Sequence, residues 1–314
     1  MKDQSQDRQL LDRRSFVKAS LVPAALAIPD TPAKRPAQGA QSPPEESVTG
    51  PEIVDTNVHL FRWPFRGLKY DRTDALVRKL RRHRIAQAWA GSFESVLSKQ
   101  LDAANRRLAD ECRERGDGLL IPFGSVNPVW PDWEEDLRRC HEQYQMRGIR
   151  LYPAYHGYVL DHPELLRLLA SAARRGLLVQ IVIRMEDERV HHPCVMAPVV
   201  SVSRLPEILV KVPEARVQLL NADTVFRSGR LRALIEQTRI TFDIAALEGD
   251  GGIGRLIDGT HPTYRGQVPA DRLLVGTHAP FFPCESALLK LFESPLDRQQ
   301  LDKIMFANAR TLLG

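Results

Sequence analysis

Two polar side chains close an otherwise apolar run near the start of the chain, and they set what chemistry it could do. In Glu52-Ile53-Val54-Asp55-Thr56-Asn57-Val58-His59-Leu60 an extended backbone sends alternate residues to the same side, so Asn57 and His59 share a face. The same pattern, an apolar run with a polar end, recurs at Arg150 and Tyr152, Gln180, Asn221, Asp243 and His278. An imidazole titrates at about 6.5, so His59 and His278 are candidates for moving a proton at neutral pH. Amide N–H groups on Asn57 and Asn221 could orient water or steady an oxyanion, and Asp243 adds a carboxylate to the catalytic set. The planar fork of Arg150 suits bidentate recognition of a substrate carboxylate. Arg62, Trp63, Tyr152, Gln180, Arg184, His191 and His192 complete the substrate-binding candidates. Any single loop histidine is more often simply exposed; the convergence of so many polar types on strand ends is the stronger signal.

Positioning these side chains requires a repeated strand-helix unit. Apolar runs at 52–60, 85–90, 119–126, 148–153, 177–183, 216–221, 240–244 and 272–278 read as strands buried on both faces. Amphipathic segments between them, such as 71–84, 96–115, 132–145 and 161–175, read as helices, with a last one over 297–313. Eight such units predict a closed (β/α)8 barrel of the TIM type over 51–314, whose active site occupies the carboxyl ends of the strands. No glycine-rich phosphate turn follows the first strand, which argues against a dinucleotide-binding sheet.

The residues ahead of the barrel read differently. Asp12-Arg13-Arg14-Ser15-Phe16-Val17-Lys18, then a short apolar stretch to Ala27, fits a twin-arginine export signal over 1–27, followed by a Pro/Ala-rich linker over 28–50. A periplasmic or extracellular location is expected, reached through the twin-arginine translocation machinery. The apolar stretch is far short of the roughly 20 residues that span a bilayer, so no membrane anchor is expected. The net charge is only +5, and the basic residues sit among acids on helix faces, so a nucleic-acid partner is not expected. A small-molecule substrate is the expected partner, and the oligomeric state is left open. The four cysteines are widely spaced without a C-x-x-C pair; Cys112 and Cys140 fall in helical patterns and read as buried thiols.

Four stretches carry a family resemblance: Ile53-Val54-Asp55-Thr56-Asn57-Val58-His59-Leu60, Gly148-Ile149-Arg150-Leu151-Tyr152-Pro153, Leu274-Val275-Gly276-Thr277-His278-Ala279-Pro280 and Ile304-Met305-Phe306-Ala307-Asn308-Ala309-Arg310. They resemble the amidohydrolase superfamily, in its amidohydrolase-related branch of hydrolases and decarboxylases. The resemblance implies a His-x-His pair on strand one, histidines on strands five and six, and an aspartate on strand eight that together hold one or two divalent metals. Here those positions are Asn57 and His59, Gln180, Asn221 and His278, leaving His59 and His278 as the good zinc ligands. The metal-free state is therefore the preferred reading over a zinc site. The leading expectation is a hydrolase of a C–N or C–O bond, in an amide, lactone or ester of a small anionic molecule. The alternatives are a non-oxidative decarboxylase of the same branch and a barrel that binds a ligand without turning it over.

Overall fold

The computed structural model describes residues 52–314; the expected export signal and linker lie outside the described residues. Strands β1 (Ile53–Leu60), β2 (Ile85–Ser92), β3 (Leu120–Gly124), β4 (Gly148–Leu151), β5 (Leu178–Val182), β6 (Val217–Leu220), β7 (Thr241–Asp243) and β8 (Leu273–Leu274) pair in parallel, in sequence order. The chain beyond β8 returns to β1: Val58 bridges Ala279, Thr56 N donates to Val275 O (2.8 Å), and His59 N donates to Ala279 O (2.8 Å). The result is the expected TIM barrel, nearly closed. Helices between the strands bury one face against the sheet, as in the helix over Thr73–Arg82, which buries Leu76, Val77 and Leu80. Coverage on both faces is why the strands read as continuous apolar runs.

Three helices depart from their expected form, one of them the segment expected over 132–145, which is α-helical at Trp133–Arg138 and π-helical at Arg139–Gln143. The segment expected as one helix over 96–115 is a short helix at Phe93–Leu97 and a longer one at Leu101–Arg115. The closing helix runs as Arg298–Asp302, a π-helical turn at Lys303–Ala307, and Asn308–Leu313. None of these breaks moves a strand. No helix among the described residues is long and apolar enough to cross a membrane. All four cysteines are free; Cys112, Cys140 and Cys284 are buried and Cys194 is exposed.

The barrel interior holds a polar layer. Strand register sets Arg150 beside Gln180 and Gln180 beside Gln218, and all three are fully buried. Arg150 Nε donates to Gln180 Oε1 (2.8 Å), and Gln180 Nε2 donates to Gln218 Oε1 and Thr56 O (2.8 Å each). Gln218 Nε2 donates to Thr56 Oγ1 (2.7 Å), closing the row onto β1. The guanidinium needs room, and β2 supplies it with a glycine: a Cβ on Gly91 would lie 2.7 Å from Arg150 Nη1.

Candidate active site

Asn57, His59, Asn221, Asp243 and His278, the five residues expected to do chemistry, meet at the carboxyl end of the barrel. Asp243, at the end of β7, accepts from Asn57 Nδ2 on Oδ2 (2.6 Å) and from Asn221 N on Oδ1 (2.8 Å). Asn57 Nδ2 also donates to Asn221 Oδ1 (3.0 Å). Asn221 Nδ2 donates to Arg184 O (2.8 Å) and approaches His278 Nδ1 at 3.4 Å. His278 Nε2 donates to Met185 O (2.7 Å), which leaves Nδ1 with the lone pair. Asn221 and His278 both take left-handed backbone angles, φ 54° and 56°. A histidine there is strained, and such strain collects where side chains must be aimed.

Burial dominates the electrostatics. It pushes the His278 imidazole down to about 3, so His278 is neutral in the free protein. His59 is also held well below its ordinary value, by burial first and then by the charge of Arg150. Burial raises Asp243 to about 6, against the hydrogen bonds from Asn57 and Asn221. Asp55, two residues before Asn57 on β1, is raised to about 7 by burial although Thr277 donates to it twice, from N (2.9 Å) and Oγ1 (2.6 Å). Gly276 lets Asp243 sit where it does, because a Cβ at 276 would meet the carboxylate at 2.7 Å.

The expected substrate residues separate into three groups. Arg184 lines a cavity of about 280 Å3 at the barrel mouth, together with Arg66, Asn221, His278, Phe281 and Phe282. Trp63 and Tyr152 are buried in an aromatic cluster with Phe93 and Phe281, beside His59. The others stand away from the cavity. Arg62 is 83% exposed and pairs with Asp71, and His191 and His192 lie on the outer loop, His192 stacked on Phe65. Arg150 and Gln180 are corrected outright: they sit inside the barrel, not on its rim, and none of the guanidinium's N–H groups is left for a substrate. Besides Gln180 they go to Val58 O (2.8 Å), His59 Nε2 (3.3 Å), Trp89 O (3.0 Å) and Thr56 O (3.4 Å).

Arg66, Phe281 and Phe282 escaped the sequence reading because they lie in loops with no pattern. Asp55 had a signal, the same period of two that paired Asn57 with His59. A wider groove of about 390 Å3, lined by Val217, Ile240 and Arg272, lies at the opposite end of the strands and holds none of these residues.

The sequence profile of the family described as Amidohydrolase matches residues 54–212. The chain belongs to the amidohydrolase family. No curated protein matches it. Among solved structures it is similar to 2,6-dihydroxybenzoate decarboxylase from Rhizobium, with 16% identity and a TM-score of 0.64 over 84% of this chain and 99% of that one. The 5-carboxyvanillate decarboxylase of Sphingomonas paucimobilis gives 9% identity and a TM-score of 0.63 over 84% and 99%. The dihydroxybenzoic acid decarboxylase of Polaromonas sp. JS666, with bound manganese and the inhibitor 2-nitroresorcinol, gives 14% and 0.61 over 84% and 97%. The hydrolase expected from the sequence is corrected by these matches, which are decarboxylases and favour the alternative that the sequence resemblance also covered.

One of these similar structures thus holds manganese, and the donors here can be tested against a divalent metal. A catalytic zinc takes three protein ligands, and carboxamides serve it poorly. His59 Nε2 faces a guanidinium, His278 Nε2 is bonded to a carbonyl, and both Asp243 oxygens accept hydrogen bonds. His59 and His278, read from the sequence as the metal pair, stand edge to face with ring centroids 5.4 Å apart. A buried guanidinium against one of them repels a second cation. The mouth residues do not fit a metal. Among the described residues, His83, Cys284 and Glu285 place ligand atoms within 4.8 Å of one another, but in the helical layer, where the Lys79 ammonium already pairs with Glu285.

Proposed function

We propose that this chain is a non-oxidative decarboxylase of a small aromatic carboxylic acid, working without a metal at His59 and His278. The observation that carries the reading is the mouth cavity. It is walled by Phe281 and Phe282, rimmed by Arg66 and Arg184, and floored by Asn221 and His278, in a fold whose similar structures act on dihydroxybenzoate and carboxyvanillate. Aromatic walls suit a benzene ring, and the two arginines suit its carboxylate, while Glu186, Asp187 and Glu248 line the same cavity and balance their charge. Both arginines are held ready by buried acids: Arg184 pairs with Asp223 at 2.8 Å, and Arg66 pairs with Glu186.

The reaction exchanges a carboxylate for a proton on the same ring carbon. An anion entering beside His278 favours its charged form and opposes the burial that otherwise keeps it neutral. His278 then gives that proton to the ring carbon, the C–C bond breaks, and CO2 leaves. Met185 O holds the imidazole through Nε2–H in both charge states, and Asn221, fixed by Asp243 and Asn57, faces the Nδ1 of the neutral ring, the nitrogen that takes up and gives the proton.

The test is CO2 release from a panel of hydroxybenzoates and carboxyvanillate, with and without EDTA. Release that survives EDTA and is lost in His278→Ala is the expected result. No CO2 from any member would sink the decarboxylase reading. Release abolished by EDTA and restored by manganese would remove its metal-free part.

A further inference from the structure

Arginine has only donors, so where its N–H meets a histidine nitrogen, that nitrogen must hold the lone pair. Arg150 Nη1 lies 3.3 Å from His59 Nε2, and the remaining guanidinium donors are tied to Gln180 Oε1 and the carbonyls of Val58, Trp89 and Thr56. The guanidinium therefore cannot turn away. The imidazole is fully buried and neutral, so its one proton sits on Nδ1. That Nδ1–H has no hydrogen-bond partner among the described residues. A buried donor left unpaired is costly, and the His278 ring against it lines the mouth cavity, from which a ligand acceptor would meet this N–H.

The surroundings say what kind. The ring stacks on Phe93 (centroids 4.9 Å, 8°), with Tyr152 at 6.2 Å and the edge of His278 at 5.4 Å. In such an apolar setting a preorganised N–H backed by a full positive charge binds an anionic oxygen far better than in water.

We propose that Arg150 is a positioning residue that locks His59 as its Nδ1–H tautomer, and that this N–H donates to a carboxylate or phenolate oxygen of an aromatic ligand. The donor replaces, in this chain, the metal that a similar barrel holds. Its ligand class rests on the decarboxylase reading, but the tautomer does not.

Long-range 1H–15N correlation spectra of the full chain test it, with the His59 signals identified by their loss in His59→Gln. The Nδ1–H pattern is expected in free protein between pH 6 and about 8. Its proton should move downfield on adding 2,6-dihydroxybenzoate or benzoate, and added zinc should leave Nε2 unmoved. In Arg150→Lys, which keeps the charge but not the fork, both tautomers should appear and 2,6-dihydroxybenzoate should bind roughly tenfold weaker. An Nε2–H pattern in the wild type, or zinc bound at Nε2, overturns the proposal. So does an Nδ1 proton that neither benzoate moves. Because the tautomer is read without turnover, failure to release CO2 leaves this result standing, and the reverse also holds.

Discussion

At the scale of single residues, burial shifts the ionisable groups of the site in opposite directions, and this has a signed consequence for stability. The folded-state pKa of His278, about 3, lies below its unfolded value of 6.5. Its stabilising contribution is therefore complete above about pH 6.5 and is lost as pH falls toward 3. Asp55 and Asp243, raised to about 7 and about 6, have the opposite sign: theirs is complete below their model value of 3.8 and lost as pH rises through 6 to 7. Total stability mixes the two, so a difference is needed to see either. His278→Phe keeps an aromatic ring against Phe281, which stacks on it at 4.9 Å. Urea midpoints at pH 7 and pH 5 should show the wild type losing ground on acidification relative to this variant. Parallel behaviour of the two proteins would mean that His278 is not held neutral. The sequence named the five residues at the mouth because strand-end polarity is visible in one dimension. It did not reveal which nitrogen of His59 or His278 carries a proton, since Arg150 and Met185 O decide that from distant parts of the chain.

Elements act through the space they leave. Two glycines make room for buried side chains, Gly91 within β2 for Arg150 in the interior and Gly276 after β8 for Asp243, each with neighbours at 2.7 Å from where a Cβ would stand. Overpacking of this kind costs about 1–3 kcal/mol. Gly276→Ala should lower stability by that amount and turn Asp243, disturbing the hold of Asn57 and Asn221 on His278; turnover should fall mainly in kcat. A variant with wild-type stability and kcat would show that Asp243 has room to move. The turn after β7 is secured separately, by Lys290 Nζ donating to the carbonyls of Ile244 (3.0 Å), Ala245 (2.6 Å) and Leu247 (3.0 Å). The eight strands were legible as elements because apolar runs flanked by amphipathic helices have few other solutions. Depth along a strand was not: Arg150 and Gln180 look like strand-end residues in one dimension, and register alone drops them into the interior.

For the whole molecule, the question is why a barrel would carry a guanidinium at its centre. Arg150 projects from β4 and bonds to carbonyls of β1 (Thr56, Val58) and β2 (Trp89) and to Gln180 of β5. One side chain thus joins four strands across the interior, where apolar side chains would meet only by contact. Deleting it leaves several acceptors buried without donors, the situation in which loss of one partner costs about 3–5 kcal/mol. Arg150→Leu should therefore lower unfolding free energy by about that much in urea titration, a large share of the roughly 5–15 kcal/mol that holds a domain together. Gln180 shares this network, so Arg150→Leu and Gln180→Leu should cost less together than their separate effects add to, because the second deletion removes an acceptor the first had orphaned. Additive losses, or an Arg150→Leu variant within ~1 kcal/mol of wild type, would place the strength of the barrel in its apolar layers alone, and the guanidinium would then serve only the tautomer of His59.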